Sequence, residues 1–112
     1  MKLISSVVRP ETLDGIKGEL DRVNVHALTV AHIQDHTPQN HGPMIWRARE
    51  YDLGSSLKVE IRVVVHDDDA DAVVEVILRA ARTGRTGDGH VCVMPVDHCY
   101  DVATGRREAS RD

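Results

Sequence analysis

The segment Thr83–His90, TGRTGDGH, holds three glycines and an aspartate in eight residues, with Arg82 directly before it. Glycines at this density can present consecutive backbone N–H groups to a phosphate, because no Cβ blocks the approach. The same residues can equally make a helix C-cap at Gly84 followed by a Gly-Asp-Gly turn. Their order excludes two familiar phosphate loops. In Walker A and dinucleotide-binding turns the glycines follow a strand and open a helix. Here they follow a helical pattern and precede a strand-like one. From the residues alone, a backbone nest and a plain turn both remain open.

The other reactive residue types form no comparable pattern. Among the seven histidines, His36 and His41 share one irregular segment and His98 adjoins Cys99. None has the spacing of a structural zinc site, so exposed loop histidines and no metal centre are expected. Ser5 and Ser6 fall in a strand-like run, no GxSxG elbow exists, and no carboxylate pair can be assigned to a cleft, so no catalytic residue is predicted. Asp67, Asp68 and Asp69 read as a helix-capping cluster. Trp46, Arg47, Arg49 and Tyr51 are residue types enriched where proteins bind one another. They read as a contact tip, unless they fold back onto the domain.

Elements on both sides must position these groups. Residues 2–9, KLISSVVR, predict a strand stopped by Pro10. Leu13, Ile16, Leu20 and Val23 make one stripe of an amphipathic helix, with Pro10 and Glu11 suited to its first turn. Gly15 and Gly18 weaken that helix by up to about 1 kcal/mol each relative to alanine. Residues 25–33 predict a second strand. A segment of about 36–57 then shows no core periodicity, and a loop beyond about 12–15 residues is generally functional. Residues 58–66 alternate: Val59, Ile61, Val63 and Val65 on one face, Lys58, Glu60, Arg62 and Val64 on the other. A second helix follows over 67–82, with Val73, Val74, Ile77, Leu78 and Ala81 as its buried stripe, then a strand over 91–96. Residues 97–112 read as a polar tail that frays in part. The order β-α-β, long loop, β-α-β predicts a single α+β domain over 1–112. It has the ferredoxin-like split βαβ architecture (βαββαβ), with two helices on one face of an antiparallel sheet.

Composition narrows the function further. The 112-residue chain has a net charge of −4 and neither a basic patch nor interleaved aromatics, which argues against nucleic acid as a partner. With no Phe, one Trp and two Tyr, its core must be aliphatic. A core of this size is marginal alone, and self-association is expected. No apolar run reaches the roughly 18 residues that span a bilayer. The start MKLISSVVRP lacks the pattern of a signal peptide. Cys92 and Cys99 do not make a disulfide framework, so a cytoplasmic chain with free thiols is expected.

Several segments together resemble a known family. They are KLISSVVRPETLD at the start, ALTV before the loop, RAREY within it, LKVEIRVVV, and DAVVEVILRAARTGRTGDGHVCVMPV, with a late Thr104-Gly105. The block AARTGxxGDGxxxVxPV is the most specific. From Met1 to about Gly105 the chain resembles the PII signal-transduction proteins, also called nitrogen regulatory protein P-II. The resemblance implies a non-enzymatic homotrimer that binds ATP or ADP in clefts between subunits. Many such proteins also bind 2-oxoglutarate as effector, together with Mg and ATP. Their long T-loop, here about 36–57, docks on a membrane transporter or a regulatory enzyme. Carried over by position, Gly87, Asp88 and Gly89 match the loop around the nucleotide phosphates, and Thr29 and Val64 match residues near the adenine. Gln39 matches the side chain that helps hold Mg and, through it, 2-oxoglutarate; Lys58 matches the lysine that meets a 2-oxoglutarate carboxylate. Tyr51 matches the tyrosine uridylylated in some lineages, and Arg47 a T-loop arginine that enters a transporter.

The departures concern charge. His90 stands where the family usually has a phosphate-binding lysine, Asp101 and Ala103 where it has arginines, and Pro38 where it has another. Thr37 and His41 replace glycines. Each charge-assisted hydrogen bond to phosphate contributes about 1.5–3 kcal/mol. The resemblance therefore implies adenine nucleotide binding with a weaker preference for ATP, favouring ADP or AMP. The alternative is a divergent PII-like sensor of another metabolite or ion, of the kind linked to bicarbonate handling and carboxysomes or to metal efflux.

Overall fold

The computed structural model describes residues 1–36 and 56–108. The positions named above at Thr37, Pro38, Gln39, His41, Trp46, Arg47, Arg49 and Tyr51 lie outside the described residues. Strand β1 spans Lys2–Val8 and runs into a single 3-10 turn at Pro10–Thr12, then helix α1 at Leu13–Arg22. Strands β2 (Thr29–Asp35) and β3 (Ser56–Val65) follow, then helix α2 (Asp67–Ala81) and strand β4 (Gly89–Pro95). The four strands form one sheet in the order β2-β3-β1-β4, with every neighbouring pair antiparallel. This is the predicted ferredoxin-like arrangement.

Both helices lie on one face of the sheet. Ile4, Val8, Val59, Ile61 and Val63 meet Ile16 and Leu20 of α1 and Val73 and Ile77 of α2 in one aliphatic core. The predicted alternation in β3 holds, since its odd-numbered valines and isoleucine are all buried. Each fully buried Val, Leu or Ile contributes about 1.5–3 kcal/mol by leaving water, which lets a chain without phenylalanine hold its fold.

Several element ends differ from the sequence reading. Val23 is 41% exposed and caps α1 instead of joining its stripe. Asn24 takes a left-handed φ of 63°. Its N–H donates to the Asp21 carbonyl at 3.1 Å, and the Val25 N–H donates to the Leu20 carbonyl at 2.9 Å. That is a Schellman motif with Asn in place of Gly. It holds residues 24–25 in the cap, so β2 starts at Thr29. On α2, Leu78 is 46% exposed, while Ala70 and Val76 are buried in its place. His66, not an aspartate, is the N-cap residue of α2, and its side chain makes no capping bond. Asp67, Asp68 and Asp69 fill the first turn instead, where their charge opposes the positive end of the helix dipole. Asp67 also meets the amino terminus at 3.0 Å and Lys2 Nζ at 3.7 Å.

The tail does not fray over its described part. Tyr100 bridges Arg107 in a small antiparallel hairpin. The Asp101 N–H donates to the Arg106 carbonyl at 2.9 Å, and the Glu108 N–H to the Cys99 carbonyl at 2.7 Å. Among the described residues, no helix is long and apolar enough to cross a membrane.

Substituting Ile77→Ala removes a fully buried side chain at the meeting of α2 and the sheet. It is expected to lower stability by about 2–5 kcal/mol. Leu78→Ala, one residue on, should cost less than about 1 kcal/mol. Urea unfolding of both variants at one protein concentration checks the difference.

Candidate functional site

The glycine segment is built around one carboxylate. Helix α2 ends at Ala81, and Arg82 leaves it in extended conformation, φ −73° and ψ 127°. The C-cap expected at Gly84 is therefore absent; the chain has already left the helix two residues earlier. What shapes the turn is Asp88. Its Oδ2 accepts the Thr83 N–H at 2.8 Å and the Gly84 N–H at 3.2 Å. Its Oδ1 accepts the Thr83 hydroxyl and, at 2.9 Å, the Nε–H of Arg9. The Thr83 hydroxyl, the Thr83 N–H and then Arg9 all favour the carboxylate form and hold Asp88 far below the usual carboxylate range.

Two contacts from the β1–α1 corner fasten the same segment. A terminal nitrogen of Arg9 donates to the Thr86 carbonyl at 2.7 Å. Arg85 donates to Glu11 Oε2 at 2.9 Å. Gly89 closes the turn where β4 meets β1. At its φ of 116°, a Cβ would sit 1.8 Å from the Val7 carbonyl oxygen, so no other residue fits without moving the strand.

These bonds use the N–H groups of Thr83, Gly84 and Arg85. The N–H groups of Thr86 and Gly87 have no hydrogen-bond partner among the described residues, and a turn over Thr86–Gly87 sets their direction. The turn thus has an inner side organised by Asp88 and two successive amides, Thr86 and Gly87, with no partner among the described residues, donors of the kind an anion nest uses. Beside it, Arg82, Asp88, Gly89 and His90 line a cavity of about 120 Å³ floored by Val8 and Val91. Arg82 has no carboxylate partner among the described residues, whereas Arg85 is paired with Glu11 and Arg107 lies 3.0 Å from His98.

Thr29 and Val64 come together in a separate cleft of about 400 Å³ that also includes Leu3, Leu28 and Arg62. Val64 pairs with Leu3 of β1, while Gly89 pairs with Val8. Five residues of strand separate the two levels, about 17 Å. The two groups also lie on opposite sides of β1. One copy of the chain therefore holds the turn and the cleft at opposite corners of its sheet.

Lys58 sits at the same end of the sheet as the turn, next to Val59, which faces Val8. It is 3% exposed, and its Nζ lies 3.3 Å from Asp35 Oδ2. Asp101 starts the tail hairpin, its carboxylate accepting the Thr104 N–H at 2.9 Å, and Ala103 lies within that hairpin's turn. Sequence reasoning missed Arg9, Glu11 and Thr83. No spacing rule links Arg9 to Asp88, 79 residues away.

A family model for nitrogen regulatory protein P-II matches residues 1–106. This chain belongs to the nitrogen regulatory protein P-II family. It is 35% identical over 105 residues to nitrogen regulatory protein P-II 2 of Methanothermobacter thermautotrophicus, covering 94% of this chain and 91% of that protein. It is 34% identical over 106 residues to nitrogen regulatory protein GlnK2 of Haloferax mediterranei, covering 95% and 86%. The P-II protein of Rhizobium meliloti matches at 35% over 105 residues, 94% of both chains. P-II proteins are signal-transduction regulators and not enzymes.

The Asp88 network carries a pH signature. A carboxylate whose folded-state pKa is depressed stabilises the fold above its unfolded-state value, and that stabilisation fades as pH falls toward the folded one. Asp88→Asn should therefore lower the melting temperature by a constant amount between pH 5 and 8. The gap to the native chain should narrow below the ordinary aspartate value of 3.8. Calorimetric melts of both proteins from pH 3 to 8 check this.

Proposed function

We propose that this P-II chain is a non-enzymatic regulator that binds adenine nucleotide between the subunits of a homotrimer. Through its T-loop, about 36–57, it acts on a membrane transporter or a regulatory enzyme. The observation that carries the reading is the pairing of two incomplete half-sites. The turn at Gly87–His90 offers amides for phosphate, and the cleft at Thr29 and Val64 offers apolar walls for a base. They lie at opposite corners of one sheet, so one nucleotide can touch both only if two copies of the chain supply them.

The charges near the turn favour a less charged nucleotide. His90 places an imidazole beside the turn, where a lysine would carry a fixed ammonium. Arg85 and Arg9 already face carboxylates of their own chain. That leaves the Thr86 and Gly87 amides and Arg82 as the main donors, a set suited to ADP or AMP more than to ATP. Gln39 would assist Mg with ATP. For 2-oxoglutarate, the Lys58 ammonium would have to exchange Asp35 for a carboxylate of the effector.

Isothermal titration with ATP, ADP and AMP at pH 7.5 tests the reading, together with mass by light scattering. The expected result is one site per subunit, ADP or AMP bound at least as tightly as ATP, and a particle of three chains. His90→Lys should raise ATP affinity about tenfold or more, the worth of one charge-assisted bond. Clearly tightest binding of ATP by the native chain would overturn the preference, and no adenylate binding would overturn the reading.

A further inference from the structure

We infer that Arg9 is the positioning residue of the nucleotide turn: it holds the Gly87 amide outward for phosphate by gripping the Thr86 carbonyl and Asp88 together. The inference rests on the nucleotide reading above. Arg9 follows Val8, and Val8 pairs with Gly89, so the strand register sets Arg9 beside Asp88. Its planar guanidinium reaches two acceptors at once, Asp88 Oδ1 at 2.9 Å and the Thr86 carbonyl at 2.7 Å. A rigid fork is suited to this double grip in a way that a single ammonium is not.

The second contact fixes a peptide plane. In a trans peptide the carbonyl and the following N–H point in opposite directions. With the Thr86 carbonyl drawn toward Arg9, the Gly87 N–H faces away from it. Gly87 sits at φ 88°, a backbone region that leaves the plane easily turned unless something holds it. Arg9 also neutralises Asp88, whose charge would otherwise oppose an arriving phosphate. Arg9 is therefore an internal tie and not a phosphate ligand, and its side chain is only 18% exposed. The neighbouring pair Arg85–Glu11 is far more exposed on both sides and contributes little to the hold.

The test compares ligands with and without phosphate on the full-length chain. Arg9→Met should weaken ADP about tenfold, the scale of one charge-assisted bond, and leave adenosine unchanged. The backbone order parameter at Gly87, measured by NMR relaxation, should fall in the same variant. Arg9→Lys keeps the charge but not the fork, and should fall between the native chain and Arg9→Met for ADP; it also serves if Arg9→Met does not fold. Equal loss of ADP and adenosine would mark Arg9 as merely structural and overturn the inference. So would native ADP affinity in Arg9→Met, which leaves the nucleotide reading standing. If the native chain itself binds neither ADP nor adenosine, the nucleotide reading fails first and the inference with it.

Discussion

The contact between Gly89 and Val7 is the constraint on which the site depends. A side chain at position 89 would run into the Val7 carbonyl at 1.8 Å, so β4 can pair with β1 only through a bare backbone. That pairing sets Val8 between Val59 and Gly89, in the middle of the core. It also brings the turn before Gly89 against the corner after Val8, where Arg9 and Glu11 wait. The register that buries Ile4 and Val8 is thus the same register that shapes the turn. A slip of one residue would turn Val8 out of the core and separate Arg9 from Asp88 together.

This coupling explains why the charged residues of the segment divide into two kinds. Arg9 and Asp88 face each other and hold the backbone, and Arg85 and Glu11 face each other at the exposed edge beside them. They bring no net charge toward a ligand, since each cation is matched by a carboxylate. What remains for a phosphate is mainly backbone, plus Arg82 and His90 on the adjoining cavity. Backbone amides count oxygens and geometry more than charge. A turn that relies on them discriminates weakly between a diphosphate and a triphosphate.

The fold was legible in the sequence wherever periodicity is strong. The β3 alternation and the Ile16–Leu20 pair fall where the pattern puts them, because burial on one face leaves no other solution. Val23 and Leu78 fail for a local reason: each lies where the stripe pattern continues but the element's end or edge has turned away from the core. Of the site, the glycines read as a turn from spacing, Asp88, His90, Thr29 and Val64 came from the family resemblance, and the residues that brace the turn did not appear. Gly84 resembles a helix cap, yet the helix stops at Ala81 and Asp88 captures the amides of Thr83 and Gly84 from outside the helix. Arg9 was invisible because its partner is 79 residues away and only the sheet brings them together.

The same sheet sets the scale at which the molecule can act. Its helices cover one face, and the other carries Lys58, Glu60 and Arg62 alongside Leu3, Val7 and Val64. Ser5 and Arg62 both bind Glu60 there, at 2.9 Å and 3.7 Å, so the polar groups on this face satisfy one another while the apolar ones between them stay partly in water. A small aliphatic domain gains most by covering such a face with another copy of itself. The two half-sites point the same way, since neither the Thr29–Val64 cleft nor the Gly87–His90 turn encloses a ligand alone. Under the proposed reading, self-association and nucleotide binding are one event seen from two sides: the contact that covers the open face of the sheet also completes the site. A ligand there would then strengthen the contact between subunits by whatever affinity it gains from touching both.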